Sequence, residues 1–443
     1  MLESHNKIEE IQFEKNYLKI YKILLNAKKS KYYEQHLARI DFSKPITYDM
    51  FSEIPITTKA DYQNSVFNMY AGKQCDFSYE KFTSYDLAHY RDKIEYGMKY
   101  GIDRFVTSGS TGQPLEVLRT VTDNKKDYIL LNYYRKKLTD YDFKDPFIWV
   151  WPINPIMRQL NGILADEKMI VRKNGYKYSL HRHSSDEFAE LYKQIVNTGC
   201  KWITSSPSVL ANFAEYIKNN VLQPIRFKYI ECHSENLHDW QKDIIFSTFG
   251  VDPVSIYSSN EVQFMGAKCP NNHLHIFSMS CFIEAIKTER KTELIVTSLN
   301  YYGFPIIRYK LGDCGEWSNQ QHCDCSLSGM PILNLSGFRS NDFVKLRNGA
   351  FLEPYVISDS IYLLNNSLRI EIKKYKVIQI DFSKFEIYMP YDIIEKYRNE
   401  ILVFMIHYLS QFINESIFID LKNIDDHLSK VYEGKYKYFE TKI

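Results

Sequence analysis

Glycine is scarce in this chain: 17 of 443 residues, about half the roughly 7% of ordinary proteins. Six of the 17 crowd between Gly303 and Gly349, Gly109 and Gly112 frame one tetrapeptide, and none falls between Gly349 and Gly434. A chain this sparing keeps glycine where the backbone must turn left-handed or approach something closely. Net charge is also missing. The 56 Lys and Arg against 54 Asp and Glu leave +2, and the last 101 residues carry 14 of each sign. That balance excludes a basic surface for nucleic acid or anionic lipid. No apolar run approaches the roughly 18 residues that would span a bilayer; Ile401 to Ile406 is among the longest. The opening Met1 to Lys7 is polar rather than a secretory h-region, so a cytoplasmic protein with no membrane partner is expected. Eight cysteines are too few for a disulfide scaffold in a chain this long, and clustered thiols in a reducing compartment read first as metal ligands.

What is present alternates. Apolar residues at helical spacing run from Lys7 to Lys29, and a further helix is expected after Asp61. From Arg104 comes strand, polar glycine loop, strand, then a helix from Asp123 to Leu138. Strands at Phe147–Trp151, Lys201–Thr204, Phe227–Cys232 and Val254–Tyr257 alternate with helices at Asp186–Thr198, Pro207–Lys218 and Leu237–Thr248, the pattern of an α/β fold. Leu274 to Tyr309 is richer in hairpin-like strands. Beyond a boundary near Arg339 to Asp342 lie short alternating strands, one amphipathic helix (Tyr391 to Phe412), another strand and a charged tail. The expected architecture is a large N-terminal α/β domain with mixed sheets, residues 1–340, joined by a hinge to a small C-terminal α+β domain, residues 341–443.

Four segments carry chemistry. The loop Thr107-Ser108-Gly109-Ser110-Thr111-Gly112-Gln113-Pro114 offers a nest of backbone N–H groups and hydroxyls suited to phosphate oxygens. It is not a Walker loop, because no Lys follows Gly112 and a strand, not a helix, comes next. Tyr257-Ser258-Ser259-Asn260-Glu261 places a carboxylate just past a strand's C-terminal end, where open α/β sheets bind ligands. Pro305-Ile306-Ile307-Arg308-Tyr309-Lys310-Leu311-Gly312-Asp313 reads as a strand and turn that fixes an acid directly after a glycine. Cys269, His275 and Cys323-Asp324-Cys325 make a Cys₃His set of the closed kind that holds structural zinc; His273, His322 and Cys314 are possible substitutes.

The loop, the acidic strand end and the Arg-Tyr…Gly-Asp segment, with Gly337-Phe338-Arg339-Ser340-Asn341-Asp342 and Gly434-Lys435, stand in the order of motifs in the adenylate-forming superfamily of AMP-forming acyl ligases. The chain most resembles the branch of phenylacetate-CoA ligases and capsule-biosynthesis adenylate-forming proteins, and Ile54-Pro55-Ile56-Thr57-Thr58-Lys59-Ala60-Asp61 is similar to that branch's segment before its first core strand. The resemblance implies that ATP activates a carboxylic acid to an acyl-adenylate, releasing pyrophosphate, before transfer to CoA, a carrier-protein thiol or an amine. It assigns Thr107, Ser108, Gly109, Ser110, Thr111 and Gly112 to the phosphates, Glu261 to Mg²⁺, and Ser234, Glu235, Tyr257 and Ser258 to the adenine and acyl pockets. Asp313 falls on the ribose and Arg339 near ribose or phosphate. Lys435, with Lys437 as fallback, contacts the reacting carboxylate and α-phosphate. It also implies that the small domain turns about the hinge between half-reactions, and that zinc pins the Glu261 loop to the Asp313 strand. Three departures stand out: Cys232-His233-Ser234-Glu235-Asn236 in place of a Gly-Gly-Glu-Pro-like turn, Leu311 for threonine, and Leu115 where the loop often ends in lysine. The alternatives are a relative that binds nucleotide or a partner without catalysis, and a zinc-organised interaction protein. Trp151, Trp202, Ser205, Ser206, Pro207, Ser234 and Ser258 are candidate pocket residues; they do not name the acid, and the oligomeric state is not legible.

Overall fold

The computed structural model describes residues 2–65, 68–71, 81, 90–106, 116–139, 142, 144–152, 169–172, 175–180, 185–234, 236–288, 291–339, 344–347, 351–352, 355–370, 372, 374–425 and 439–443. They form two compact units. One comprises Met1–Ile286, Leu294–Leu311 and Trp317–Asn334; the other comprises Lys287–Glu293, Gly312–Glu316 and Leu335–Ile443.

The chain opens with helix α1 (Leu2–Ala27), α2 (Lys31–His36), α3 (Tyr48–Ser52) and α4 (Lys59–Ser65). Burial of Phe13, Ile20, Ile23, Leu24 and Ala27 follows the three-and-four spacing that makes one face of α1 apolar. After α5 (Tyr90–Lys99), β1 (Ile102–Val106) and β2 (Glu116–Thr120) pair antiparallel as a hairpin, with Asp103 opposite Arg119. Helix α6 (Val121–Leu138) starts at once: the Thr120 side chain caps it by accepting from the Asp123 N–H, and Arg135, Lys136 and Lys137 close its last turn. Both ends thus suit the helix dipole.

The central sheet is built from β3 (Phe147–Pro152), β4 (Met169–Arg172), β5 (Gly175–Leu180), β6 (Trp202–Ser205), β7 (Tyr229–Cys232), β8 (Val254–Tyr257), β9 (Gly266–Lys268), β10 (Leu274–Ile276), β11 (Cys281–Lys287), β12 (Thr292–Ser298), β13 (Tyr309–Trp317) and β14 (Ile332–Arg339). Their order is β11-β12-β13-β14-β10-β9-β8-β7-β6-β3-β5-β4. Strands β5, β3, β6, β7 and β8 run parallel, while β4, β9, β10 and β14 pair antiparallel. Helices α7 (Ser185–Thr198), α8 (Pro207–Asn219) and α9 (Asp239–Phe249) supply the crossovers. Pro207 opens α8 where its missing N–H costs nothing, and Gly250 (φ 79°) ends α9 left-handed. Ile148, Val150, Ile203 and Ile230 of the strands bury one sheet face against Leu191, Leu210, Phe213 and Ile245 of these helices. Strands β6 and β7 are buried along their whole length, as parallel strands covered on both faces should be. Among the described residues the expected α/β alternation is borne out from Arg104 to Tyr257, with strands β4 and β5 in addition.

In the second unit β15 (Val344–Lys345) pairs with β16 (Phe351–Leu352), and β17 (Lys376–Asp381), β18 (Lys384–Met389), β19 (Phe418–Asn423) and β20 (Phe439–Thr441) form a sheet of order β19-β18-β17-β20. Two helices accompany them, α10 (Tyr355–Leu368) and α11 (Tyr391–Ser410), where one was expected. Ile357, Ile361 and Leu364 of α10 join Val377, Ile387, Ile401 and Met405 in one core. The helix was masked in sequence by β-branched and Asn/Ser residues of low helical propensity; burial of its i, i+4, i+7 stripe overrides that. The β4–β5 hairpin was also unexpected. Among the described residues no helix is long and apolar enough to cross a membrane.

Candidate functional site

Neighbouring parallel strands put the expected pocket residues side by side. Cys232 of β7 lies opposite Ser255 of β8, so Ser234, two residues past β7, and Tyr257 and Ser258, at the end of β8, share the sheet's carboxyl edge. Ligands of open α/β sheets bind at that edge. Ser234 has φ 75°, a left-handed backbone that costs a serine roughly 1 kcal/mol. The turn thus takes a glycine-like backbone shape at a serine, and the His233 ring lies 2.9 Å from the Ser234 hydroxyl. Two of the candidate pocket residues are corrected. Trp202 opens β6 at the far end, buried between the Phe147 ring (4.3 Å) and the Arg135 guanidinium (4.8 Å). Ser205 is fully buried, its hydroxyl donating to the Val150 carbonyl at 2.7 Å. Both are packing residues.

Glu261 sits in the turn between β8 and β9, half-buried. Tyr309 donates to its Oε1 at 3.3 Å. Arg119, 1% exposed, donates to the carbonyls of Asn260 and Glu261. The Gln263 N–H donates to the Tyr301 hydroxyl at 3.0 Å, and Tyr301 donates in turn to Asp127. Three side chains from three other segments thus hold this turn. Tyr309 is itself fixed by the Ile54–Asp61 segment: Thr57 bridges it, accepting from Lys310 N–H at 2.8 Å and donating its own N–H to Arg308 at 2.9 Å. The arginine of the Arg-Tyr…Gly-Asp motif is structural. Buried Arg308 pairs with Glu284 at 3.0 Å and donates to the carbonyls of Ser52 and Ile54. Burial pushes the Glu284 carboxyl up to about 7 despite that partner.

Asp127 gives a pH test of this scaffold. Burial raises its carboxyl to about 6, so the folded chain holds that proton more tightly than the unfolded one. Its contribution is fully present near pH 4 and lost as pH rises through about 6. Stability should fall over that window by on the order of 1–3 kcal/mol, and Asp127→Asn should flatten the slope. Urea titrations at several pH values read the difference; parallel profiles would refute it.

Asp313 lies within β13, half-buried, directly after Gly312. Gly312 has φ 87°, a conformation L side chains rarely adopt. Arg339 ends β14. The loop Thr107 to Gly112, Glu235 and Lys435 lie outside the described residues, as does the Arg339 side chain.

Most of the candidate metal ligands converge. Strands β9 and β10 form a hairpin whose turn closes through Cys269 N–H to His273 carbonyl (3.0 Å) and Asn272 N–H to Cys269 carbonyl (2.9 Å). Strand β14 pairs with β10, His275 facing Ile332, and the segment before β14 brings Cys323 and Cys325 alongside. The ligand atoms of Cys269, His273, His275 and Cys323 all lie within 4.8 Å of one another. Cys269 Sγ is 3.8 Å from Cys323 Sγ, and Cys325 Sγ is 3.2 Å from His275 Nε2. The set expected from sequence, with Cys325 fourth, is joined by a fifth donor, His273, one of the three substitutes. His322 is exposed beside Asp324, 3.6 Å away. Hydrogen bonds from His273 and Asn271 lower the Cys323 thiol, while burial raises Cys325. His273 Nδ1 and His275 Nδ1 are buried without a hydrogen-bond partner. Soft thiols, imidazoles and orphaned ring nitrogens at this spacing fit tetrahedral zinc.

No family model matches the chain. It is 22% identical over 367 residues to Protein CapK of Staphylococcus aureus, spanning 82% of this chain and 74% of that one. Its fold is that of 2-hydroxyisobutyryl-CoA ligase in the postadenylation state with 2-HIB-AMP: TM-score 0.63, 14% identity, 96% of this chain and 87% of that one. An open conformation of that ligase with 2-HIB-AMP and CoA superposes at TM-score 0.54 and 14% identity, over 96% and 90%. The resemblance read from the motifs is borne out, and the chain has the adenylate-forming ligase fold.

Proposed function

We propose that this protein uses ATP to activate a carboxylic acid as an acyl-adenylate, releasing pyrophosphate, and then passes the acyl group to a thiol of CoA or a carrier protein, or to an amine. The observation that carries this reading is the Glu261 turn. It stands beside Ser234, Tyr257 and Ser258 at the carboxyl edge of a parallel sheet, in a fold shared with a ligase whose structures hold an acyl-AMP.

In the adenylation step a substrate carboxylate oxygen attacks the α-phosphorus and the bond to pyrophosphate breaks, so no protein nucleophile is required. The chain's part is positioning and electrostatics. Ser234, Glu235, Tyr257 and Ser258 line the adenine and acyl pockets, Asp313 accepts from the ribose hydroxyls, and Arg339 lies near ribose or phosphate. Thr107 to Gly112 cradle the β- and γ-phosphates. Lys435 offsets charge between the carboxylate and the α-phosphate. Glu261 would hold Mg²⁺, whose charge neutralises the departing phosphates. Cys269, His275 and Cys323, with His273 or Cys325, would hold zinc that closes the β9–β10 hairpin onto the segment before β14.

ATP–pyrophosphate exchange against a panel of aryl, fatty and small hydroxy acids tests the proposal. Exchange with at least one acid is expected, reduced about tenfold or more in Lys435→Ala. ATP binding with no exchange for any acid would leave a nucleotide-binding protein without chemistry.

A further inference from the structure

Residues 119 to 127 fasten the hairpin that carries the glycine loop to the acidic turn. Arg119 donates to the carbonyls of Asn260 and Glu261. Four residues on, Asp123 accepts from the Tyr302 and Gly303 N–H groups at 3.0 and 2.8 Å. Four further, Asp127 accepts from Asn300 and Tyr301. The two stretches pack so closely that a Cβ on Gly303 would lie 2.2 Å from Thr120 Cγ2, which accounts for one of the chain's few glycines.

Arg119 is the unusual member of this column. Its guanidinium is wedged between two aromatic faces, 4.3 Å from the Phe105 ring centre and 4.8 Å from that of Tyr301. Nε and NH1 are buried without a hydrogen-bond partner, and among the described residues no carboxylate forms an ion pair with it. Burying a guanidinium this way is costly when no anion pairs with it. A methionine would fill the same space without that cost. What the arginine adds is a charged, planar group held between two rings, one nitrogen of which donates to both carbonyls of the acidic turn.

Resting on the reading of Glu261 as the magnesium carboxylate, we infer that Arg119 is a positioning residue for metal–nucleotide binding. It holds the backbone of the acidic turn against β2, and so fixes the position from which Glu261 presents its carboxylate. Mg²⁺ held by Glu261 would need that carboxylate at a set position, because the ion tolerates little departure from octahedral geometry. Arg119 touches neither ATP nor metal in this scheme and acts through the Asn260–Glu261 backbone.

The test is the Mg²⁺ dependence of ATP binding, followed by titration calorimetry on the full chain, with AMP binding without Mg²⁺ as the reference. Arg119→Lys keeps charge but loses the planar group held between the Phe105 and Tyr301 rings; Arg119→Met keeps volume but loses both charge and donor. Either should raise the Mg²⁺ concentration for half-maximal ATP binding by roughly tenfold or more, as for loss of one charge-assisted hydrogen bond. AMP binding should stay within about threefold of wild type. An unchanged Mg²⁺ requirement in the variant that melts like wild type would overturn the inference, as would equal losses of ATP and AMP affinity. Glu261→Gln separates the two ideas. If it leaves the Mg²⁺ requirement unchanged, the magnesium assignment fails and the Arg119 inference with it. If Glu261→Gln shifts the requirement and Arg119→Lys does not, only the role of Arg119 falls.

Discussion

Stripping the metal from the Cys269–His275–Cys323 cluster should lower the melting temperature by on the order of 10 °C, the effect of losing several kcal/mol in a domain of this size. It should also weaken ATP binding. The size of the effect follows from what the metal would join. Cys269 and Cys323 are 54 positions apart, and without an ion their buried sulfurs keep only weak sulfur hydrogen bonds while His273 Nδ1 and His275 Nδ1 have no hydrogen-bond partner. The link to ATP is short: β8 pairs with β9 through Ile256 with Ala267 and Tyr257 with Gly266. The Glu261 turn therefore hangs between a strand pair and a ligand three residues past Gly266. Five donors surround a site that needs four, so the variants should not be equivalent. Cys323→Ser should lose the metal outright. Changing His273 or Cys325 singly should leave it bound, because each can serve in place of the other. Unchanged melting and ATP affinity in a sample shown to be free of metal would refute the role.

Much of this was legible in sequence, for reasons that can be named. Strands β3, β6, β7 and β8 announced themselves because they are short apolar runs between helical stretches, each stopped by a serine or proline signal. The metal cluster was legible because its donors come in close sequence pairs on a hairpin and a loop. Helix α10 was not, since its propensities oppose the burial that makes it a helix. Trp202 was misread: it opens β6, whereas ligands of open α/β sheets bind past the strand's other, carboxyl end. Arg119 offered no signal at all. It stands in an ordinary strand, and its meaning depends on Phe105, Asn260 and Tyr301, residues 14 to 182 positions away that only the fold assembles. Glycine was the best guide throughout: Gly312 and Gly303 mark a left-handed turn and a close approach at the places where the acidic turn and Asp313 are fixed.

Glu261→Gln should slow ATP–pyrophosphate exchange by about 10²–10³-fold, the usual cost of removing one group that stabilises developing charge. It should do so without unfolding the turn. Glutamine has nearly the same shape, and its carbonyl oxygen can still accept from the Tyr309 hydroxyl, now 3.3 Å from Oε1. The Arg119 contacts run to the Asn260 and Glu261 main-chain carbonyls, which the substitution leaves alone. The change is thus confined to one charge. A neutral amide is a poor ligand for a hard, strongly hydrated cation, so the loss should appear as a higher Mg²⁺ requirement together with a lower maximal rate, not as a higher KM for the acid. Mn²⁺, bound more tightly by a given oxygen or nitrogen donor set than Mg²⁺, should restore part of the rate. Had Glu261 served only to anchor Tyr309, glutamine would replace it and exchange would continue near the wild-type rate at every Mg²⁺ concentration. That outcome would move the metal ligand elsewhere on the carboxyl edge of the sheet.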